Sequence, residues 1–212
     1  MVYTDLHYFG CLSYYHVFAA HEQIVFDSTT AFSKMSFKNR MVIATAQGPL
    51  HLTIPIVGGR DQKTPMNAIQ IAYDSPWRTQ HFKAISINYK RAPYFEYYAD
   101  SLEQLYSIEH VYLNDFLLAT QHWTKAHLKA KWLIEIANEQ TSIQQALKWV
   151  DPMKPNNFET SNNQFKYQQV FYNTTGFIPN TCILDALFAL GGKQVLAMLS
   201  QKNPPNKLEG LI

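Results

Sequence analysis

The steadiest pattern in the chain is a two-residue alternation. Leu50, Leu52, Ile54 and Ile56 alternate with His51, Thr53, Pro55 and Val57, which predicts a strand with one buried face. Pro55 has no backbone donor to give a ladder, so it marks the strand's end or an edge. A second β-rich run, Met41 to Ala46, comes just before, with Gln47-Gly48-Pro49 between the two. Together they predict a hairpin over 41–57. Shorter runs predict strands at Ile24-Val25-Phe26 and over 68–74, where Ile69 and Ile71 share a side. Residues 11–20, CLSYYHVFAA, read as a short buried helix.

From Ser75 onward the pattern turns helical. Helices are expected over 76–91, 94–106, 109–137 and 141–149, and NTCILDALFALGGKQVLAML gives one or two more, divided at Gly191-Gly192. The first has Ser75 as its N-cap and Pro76 at the first helical position. It closes at Ala92-Pro93, because proline disfavours helical geometry in the residue before it. Residues 28–40 and 58–67 are loops by composition, and the stretch from Asp151 to Gln169 is irregular. Strands in the first third and helices afterwards predict a mixed sheet covered by helices. One domain spans 1–212, with a loosely held tail over 201–212.

The helix from Ser75 holds polar groups in unexpected places. With Trp77 at zero and about 100° per residue, Asn88 falls at about 20°, His81 at about 40°, Ile85 at about 80°, Arg78 at about 100°, Tyr89 at about 120° and Phe82 at about 140°. Thr79, Lys83 and Lys90 lie opposite. His81 and Asn88 therefore share the packed side, pointing inward or into a bordering cleft. An unmet buried donor or acceptor costs about 1–3 kcal/mol, so the plainest expectation is that both bond to the backbone beneath. Arg78, His81 and Tyr89 with Tyr94 just beyond the helix could instead bind an anion and move a proton. A second polar group, Lys34, Lys38, Asn39 and Arg40, stands at the entrance to the hairpin. Asn39 and Arg40 offer a carboxamide and a forked guanidinium to a hydroxyl, carboxylate or phosphate, or form a solvated turn.

Composition narrows the function classes. Charged residues are 16% and aromatics 14%, a globular balance unlike that of a disordered chain. The net charge of +2 comes without a basic stripe, which argues against nucleic acid. No apolar run approaches the ~20 residues of a membrane span, and MVYTDLHYF does not read as a signal peptide, so a cytoplasmic protein is expected. No phosphate loop, dinucleotide fingerprint, nucleophile elbow or zinc-protease motif occurs, so no cofactor and no metal are expected. His122 and His127 are poorly aligned for one ion. Cys11 could be a nucleophile, though a free cysteine is usually a small buried hydrophobe. Asp27 either faces a site or caps the next turn.

Several stretches taken in order, YFGCLSYYHVF, IVFD, FSKMSFKNRMVI, LHLTIPI, SPWRTQHFKAISINYKRAPYFEYY, YQQVF and GFIPNTCILDALF, resemble the WbqC-like family of bacterial proteins, in the shorter form found in Bacteroidetes-type bacteria. The resemblance spans residues 8–190 and is weak through 125–160. The positions that match the family pattern are Asn39, Arg40, Trp77, His81, Tyr89, Tyr94 and Asp185. Family members typically begin with a strand and a QPYFFPYxGYF-like turn; here His7 replaces the Gln-Pro region and Gly10-Cys11 follows. The expected class is α/β, Rossmann-like in one form and α+β in the alternative.

The resemblance implies a role in O-antigen and other surface-polysaccharide synthesis, with an acyl or aminoacyl donor and a sugar or sugar-nucleotide substrate. A transferase would use His81 as general base with Tyr89, and would bind substrate through Lys34, Asn39, Arg40, Trp77, Arg78 and Tyr94. The alternative is an accessory protein that binds a glycan or a partner enzyme, with Tyr94, Tyr97 and Tyr98 suited to sugar stacking. A third reading leaves the inward polar groups as a core network. The transferase expectation requires His81 and Arg40 to meet across a solvent-reachable hollow.

Overall fold

A computed structural model describes residues 1–137, 147–149, 153–160 and 165–201. The chain opens with a strand that alternation does not announce, β1 (Val2–Asp5), whose first three residues are all buried. With both faces covered, a central parallel strand has no polar side to display. Helix α1 (Leu12–Ala19) follows, and then β2 (Gln23–Asp27), which lies parallel to β1 with Val2 opposite Ile24 and Asp5 opposite Asp27. Leu12, Tyr14, Tyr15, Val17 and Phe18 are all buried in α1, which has little solvent face and packs on the C-terminal helix.

Two later strands complete the sheet. β5 (Leu133–Ile136) lies outside β2 and β6 (Leu147–Lys148) outside β1, giving the parallel order β5-β2-β1-β6. The architecture is α/β. The hairpin, β3 (Arg40–Thr45) and β4 (Gly48–Thr53), forms a separate antiparallel pair. It ends at Thr53, ahead of Pro55. Leu50 departs from the expected buried face and is 38% exposed, while Leu52, Ile54 and Ile56 are buried.

The helical region runs α2 (Trp77–Tyr89), α3 (Phe95–Ser107), α4 (Leu113–Leu128), a short α5 (Tyr172–Thr175), α6 (Ile183–Leu190) and α7 (Gly192–Leu199). The helix expected over 109–137 stops at Leu128. Lys129 adopts a left-handed conformation (φ 53°) that closes it, and the alternating LIEI that follows becomes β5. Of the helix expected over 141–149, residues 147 and 148 are strand and 141–146 lie outside the described residues, as does most of the tail from 202. The strand expected over 68–74 is reduced to single bridges, Ile56 to Ile71 and Gln70 to Tyr112, after a 3-10 turn at Met66–Ala68. Ile69 and Ile71 are nonetheless buried. Alternation reported their burial correctly but not the lack of a continuous partner. Among the described residues no helix is long and apolar enough to cross a membrane.

Candidate functional site

The carboxyl ends of β1 and β2 come to one edge, with Asp5 and Asp27 in register. In open parallel sheets, ligands bind beyond these ends, at the point where the strand order reverses. Here that point is β1, which has β2 on one side and β6 on the other. Asp27 caps the turn after its strand: it accepts from Thr29 N at 2.8 Å, Thr29 Oγ1 at 2.9 Å and Thr30 N at 3.1 Å. Burial would raise its carboxyl, but bonds from Thr29, Tyr3 and Thr30 outweigh that and hold its pKa low. Lys38 is buried beside Asp5, with Nζ 3.0 Å from Oδ1, and also donates to Thr30 Oγ1 at 3.3 Å.

The turn from β1 into α1 is tightly constrained. Phe9 takes φ 45°, a region that non-glycine residues seldom enter. A Cβ on Gly10 would fall on the Tyr14 ring, so only glycine lets that ring close over the turn. His7 is 5% exposed and stacks on Tyr14, with ring centroids 4.3 Å apart and planes 10° from parallel. Burial, helped by the Lys38 charge, pulls the His7 pKa down to about 3, so its imidazole is neutral at neutral pH. His7, Gly10 and Cys11 line a half-open hollow that Val42, Asn180 and Cys182 also border. It encloses about 240 Å³ of atom-free space including its mouth. Its clear interior admits about one water molecule.

His81 reaches this turn from behind. Its Nδ1 lies 2.9 Å from the Tyr8 hydroxyl, which in turn makes a short hydrogen bond to the Tyr106 hydroxyl. Tyr8 is flanked by His7 and Phe9, which both line the hollow. Burial lowers the His81 pKa to about 4, an effect the Thr53 backbone partly offsets. Its hydrogen-bond partner is the Tyr8 side chain, not the backbone beneath the helix that the sequence suggests. Asn88 differs: it is half-buried and donates to Ala84 O of its own helix at 2.8 Å.

The expected meeting of His81 and Arg40 does not occur. Arg40 Nε donates to Thr53 Oγ1 at 3.0 Å, while His81 bonds Tyr8, and neither lines the hollow. Strand pairing sets this, because Arg40 and Thr53 are register partners. Asn39 donates to Ile54 O at 2.9 Å, and Lys34 pairs with Asp61 at 2.8 Å on the surface. Trp77 is buried against His81, their ring centroids 5.3 Å apart. Arg78 turns away to Ser107 O at 2.8 Å and Glu109 at 3.1 Å. Tyr94 is 44% exposed beside Gly191.

Tyr89 and Asp185 do come together. The Tyr89 hydroxyl donates to Asp185 Oδ2 at 2.7 Å and accepts from Ala44 N at 2.9 Å, while Tyr167 donates to Asp185 Oδ1 at 2.7 Å. Burial pushes the Asp185 carboxyl above its ordinary range despite those donors.

His7, Gly10 and Asn180 line the hollow but are not among the candidate residues that the sequence pattern marks. A signal was present in DLHYFGC: a histidine and a glycine fall between a strand end and a helix start. Asn180 carried no comparable signal; it takes φ 57° and donates to Phe158 O at 2.7 Å. Among the described residues, no group of three or more His, Cys, Asp or Glu side chains is placed to hold a metal ion.

These features define a parallel-sheet α/β protein whose candidate site lies in the turn after its first strand. The pattern of the WbqC-like protein family matches residues 7–151, more than half of the 212, and the chain belongs to that family. The matched span begins at His7 and takes in the turn, the hairpin and α2. No curated protein and no solved structure matches the chain.

Proposed function

We propose that this protein acts in bacterial surface-polysaccharide synthesis, transferring an acyl or aminoacyl group to an amino sugar or sugar nucleotide at the carboxyl edge of its parallel sheet. Family membership supplies the context. The observation that carries the reading is the β1–α1 turn, where a buried imidazole held neutral lines a hollow beside Gly10 and the start of a helix. Substrate that raises its pKa from about 3 toward neutrality would make this imidazole an effective acceptor for the proton that an attacking amine loses. In this reading His7 is the base, and His81 positions the turn through Tyr8. Asn39 and Arg40 stay candidates for the donor's charged end at the hairpin entrance. The narrow interior leaves the sugar at the mouth and admits only the reacting group.

The test is calorimetric titration with a uridine-diphosphate amino sugar, followed by turnover with an acyl-thioester donor. Binding and acylated product are expected, with turnover falling by about 100-fold in His7→Ala. No binding, or full turnover in that variant, would refute the assignment. A second reading is favoured by Tyr94 and Tyr97, which are 44% and 70% exposed and present rings of the kind that stack on sugars. On that reading the protein is a non-catalytic glycan binder. Binding of oligosaccharide without turnover, lost in Tyr97→Ala, would select it.

A further inference from the structure

Cys11 and Cys182 lie far apart in sequence but face each other in an isolated antiparallel bridge. The adjacent hydrogen bond runs from Ile183 N to Gly10 O at 2.9 Å, so the cysteines themselves form a non-hydrogen-bonded pair. In such pairs the facing Cα atoms stand about 4.5 Å apart and the side chains lie close. A disulfide spans Cα separations of about 4.4–6.8 Å. Each cysteine is the extended residue that precedes a helix, Cys11 before α1 and Cys182 before α6. Both are thiols, and both line the hollow. Two thiols thus share one register and one opening.

We propose that Cys11 and Cys182 form a reversible oxidation site, closed to an intramolecular disulfide by a small hydroperoxide. An interior that admits about one water molecule selects hydrogen peroxide over bulky disulfide oxidants. Cys182 is the more deeply buried thiol, 1% exposed against 7% for Cys11, so Cys11 reacts first. Its thiolate attacks one peroxide oxygen and the O–O bond breaks. The departing hydroxide is protonated to water, leaving a sulfenic acid on Cys11. The Cys182 sulfur then displaces hydroxide from that sulfenic acid, and this hydroxide leaves as water with the Cys182 proton. Two thiols are oxidised and one peroxide is reduced to two waters. Burial holds the Cys182 thiol protonated, which makes the second step the slower one. The new bond ties the start of α1 to the start of α6. This site does not depend on the chemistry proposed for the hollow.

The test is the intact mass of the full chain under denaturing conditions, after a few-fold excess of hydrogen peroxide and then alkylation. The expected product has lost about 2 Da, takes up no alkylating agent, and regains both thiols in dithiothreitol. Its thermal unfolding midpoint rises by about 5 °C. A stable gain of about 16 or 32 Da on one cysteine without a crosslink overturns the proposal. So does a dimer joined between chains, or a chain that still alkylates at both cysteines.

Discussion

His81 and His7 make the same physical point from opposite sides of one turn. Each imidazole is buried, and burial drives its pKa down, to about 4 for His81 and about 3 for His7. Both values lie below the ordinary value of about 6.5 for an unfolded chain, so the unfolded state binds more protons as pH falls. Their contribution to stability is therefore complete above about pH 6.5. Below that it is lost at about 1.4 kcal/mol per pH unit for each histidine, until the folded ring titrates. Urea unfolding followed from pH 8 to pH 4 should show a plateau and then a decline starting near pH 6.5. His81→Phe should make that decline shallower. An unchanged slope would mean the ring is not buried as described. The helical angle of His81 was legible because a 3.6-residue period fixes which side of a helix a residue takes. Its partners were not, since Tyr8 and Tyr106 lie on other elements.

At the scale of elements, a buried carboxylate links α2 to α6, beside the packing of Tyr89 on Phe188. Asp185, in the first turn of α6, accepts from Tyr89 on α2 and from Tyr167 in the preceding segment. A buried hydroxyl left without its acceptor costs about 1–3 kcal/mol. Asp185→Ala should therefore lower stability by about 2–3 kcal/mol in urea titrations, and Tyr89→Phe by about 1 kcal/mol. Their double variant should lose less than the sum, because the two changes remove one shared bond. Strict additivity would show that the bond carries no stability. The joint between α6 and α7 rests on a close approach: a Cβ at Gly192 would fall on the His127 carbonyl. The glycine pair was readable as punctuation. Helical period places Tyr89 on the packed side and resemblance alone points to Asp185, but only the structure brings the two into contact.

For the molecule as a whole, stability centres on the parallel sheet. Ile24, Val25 and Phe26 of β2 and Val2 of β1 are fully buried, whereas β5 pairs on one side only and leaves Leu133 58% exposed. Hydrogen exchange should accordingly be slowest in β1 and β2 and distinctly faster in β5. Equal protection across the three strands would contradict that order. The sheet was also the least legible part of the architecture. The hairpin announces itself because both of its arms lie in one short stretch of chain. β1, β5 and β6 are short pieces of two to four residues, too brief for periodicity to register.

The sequence by itself determined the α/β class, the hairpin, the inward side of α2 and the family. Each of these depends on local period, on turn chemistry or on an ordered string of motifs, all carried along the chain. Tertiary structure alone decided that His81 bonds Tyr8 while Arg40 turns to Thr53. It also decided that His7 lines the hollow and that Cys11 faces Cys182. Those pairings depend on strand register and on which turns meet at the edge of a sheet. Contacts of that kind join residues through space, and no period along a single chain encodes them.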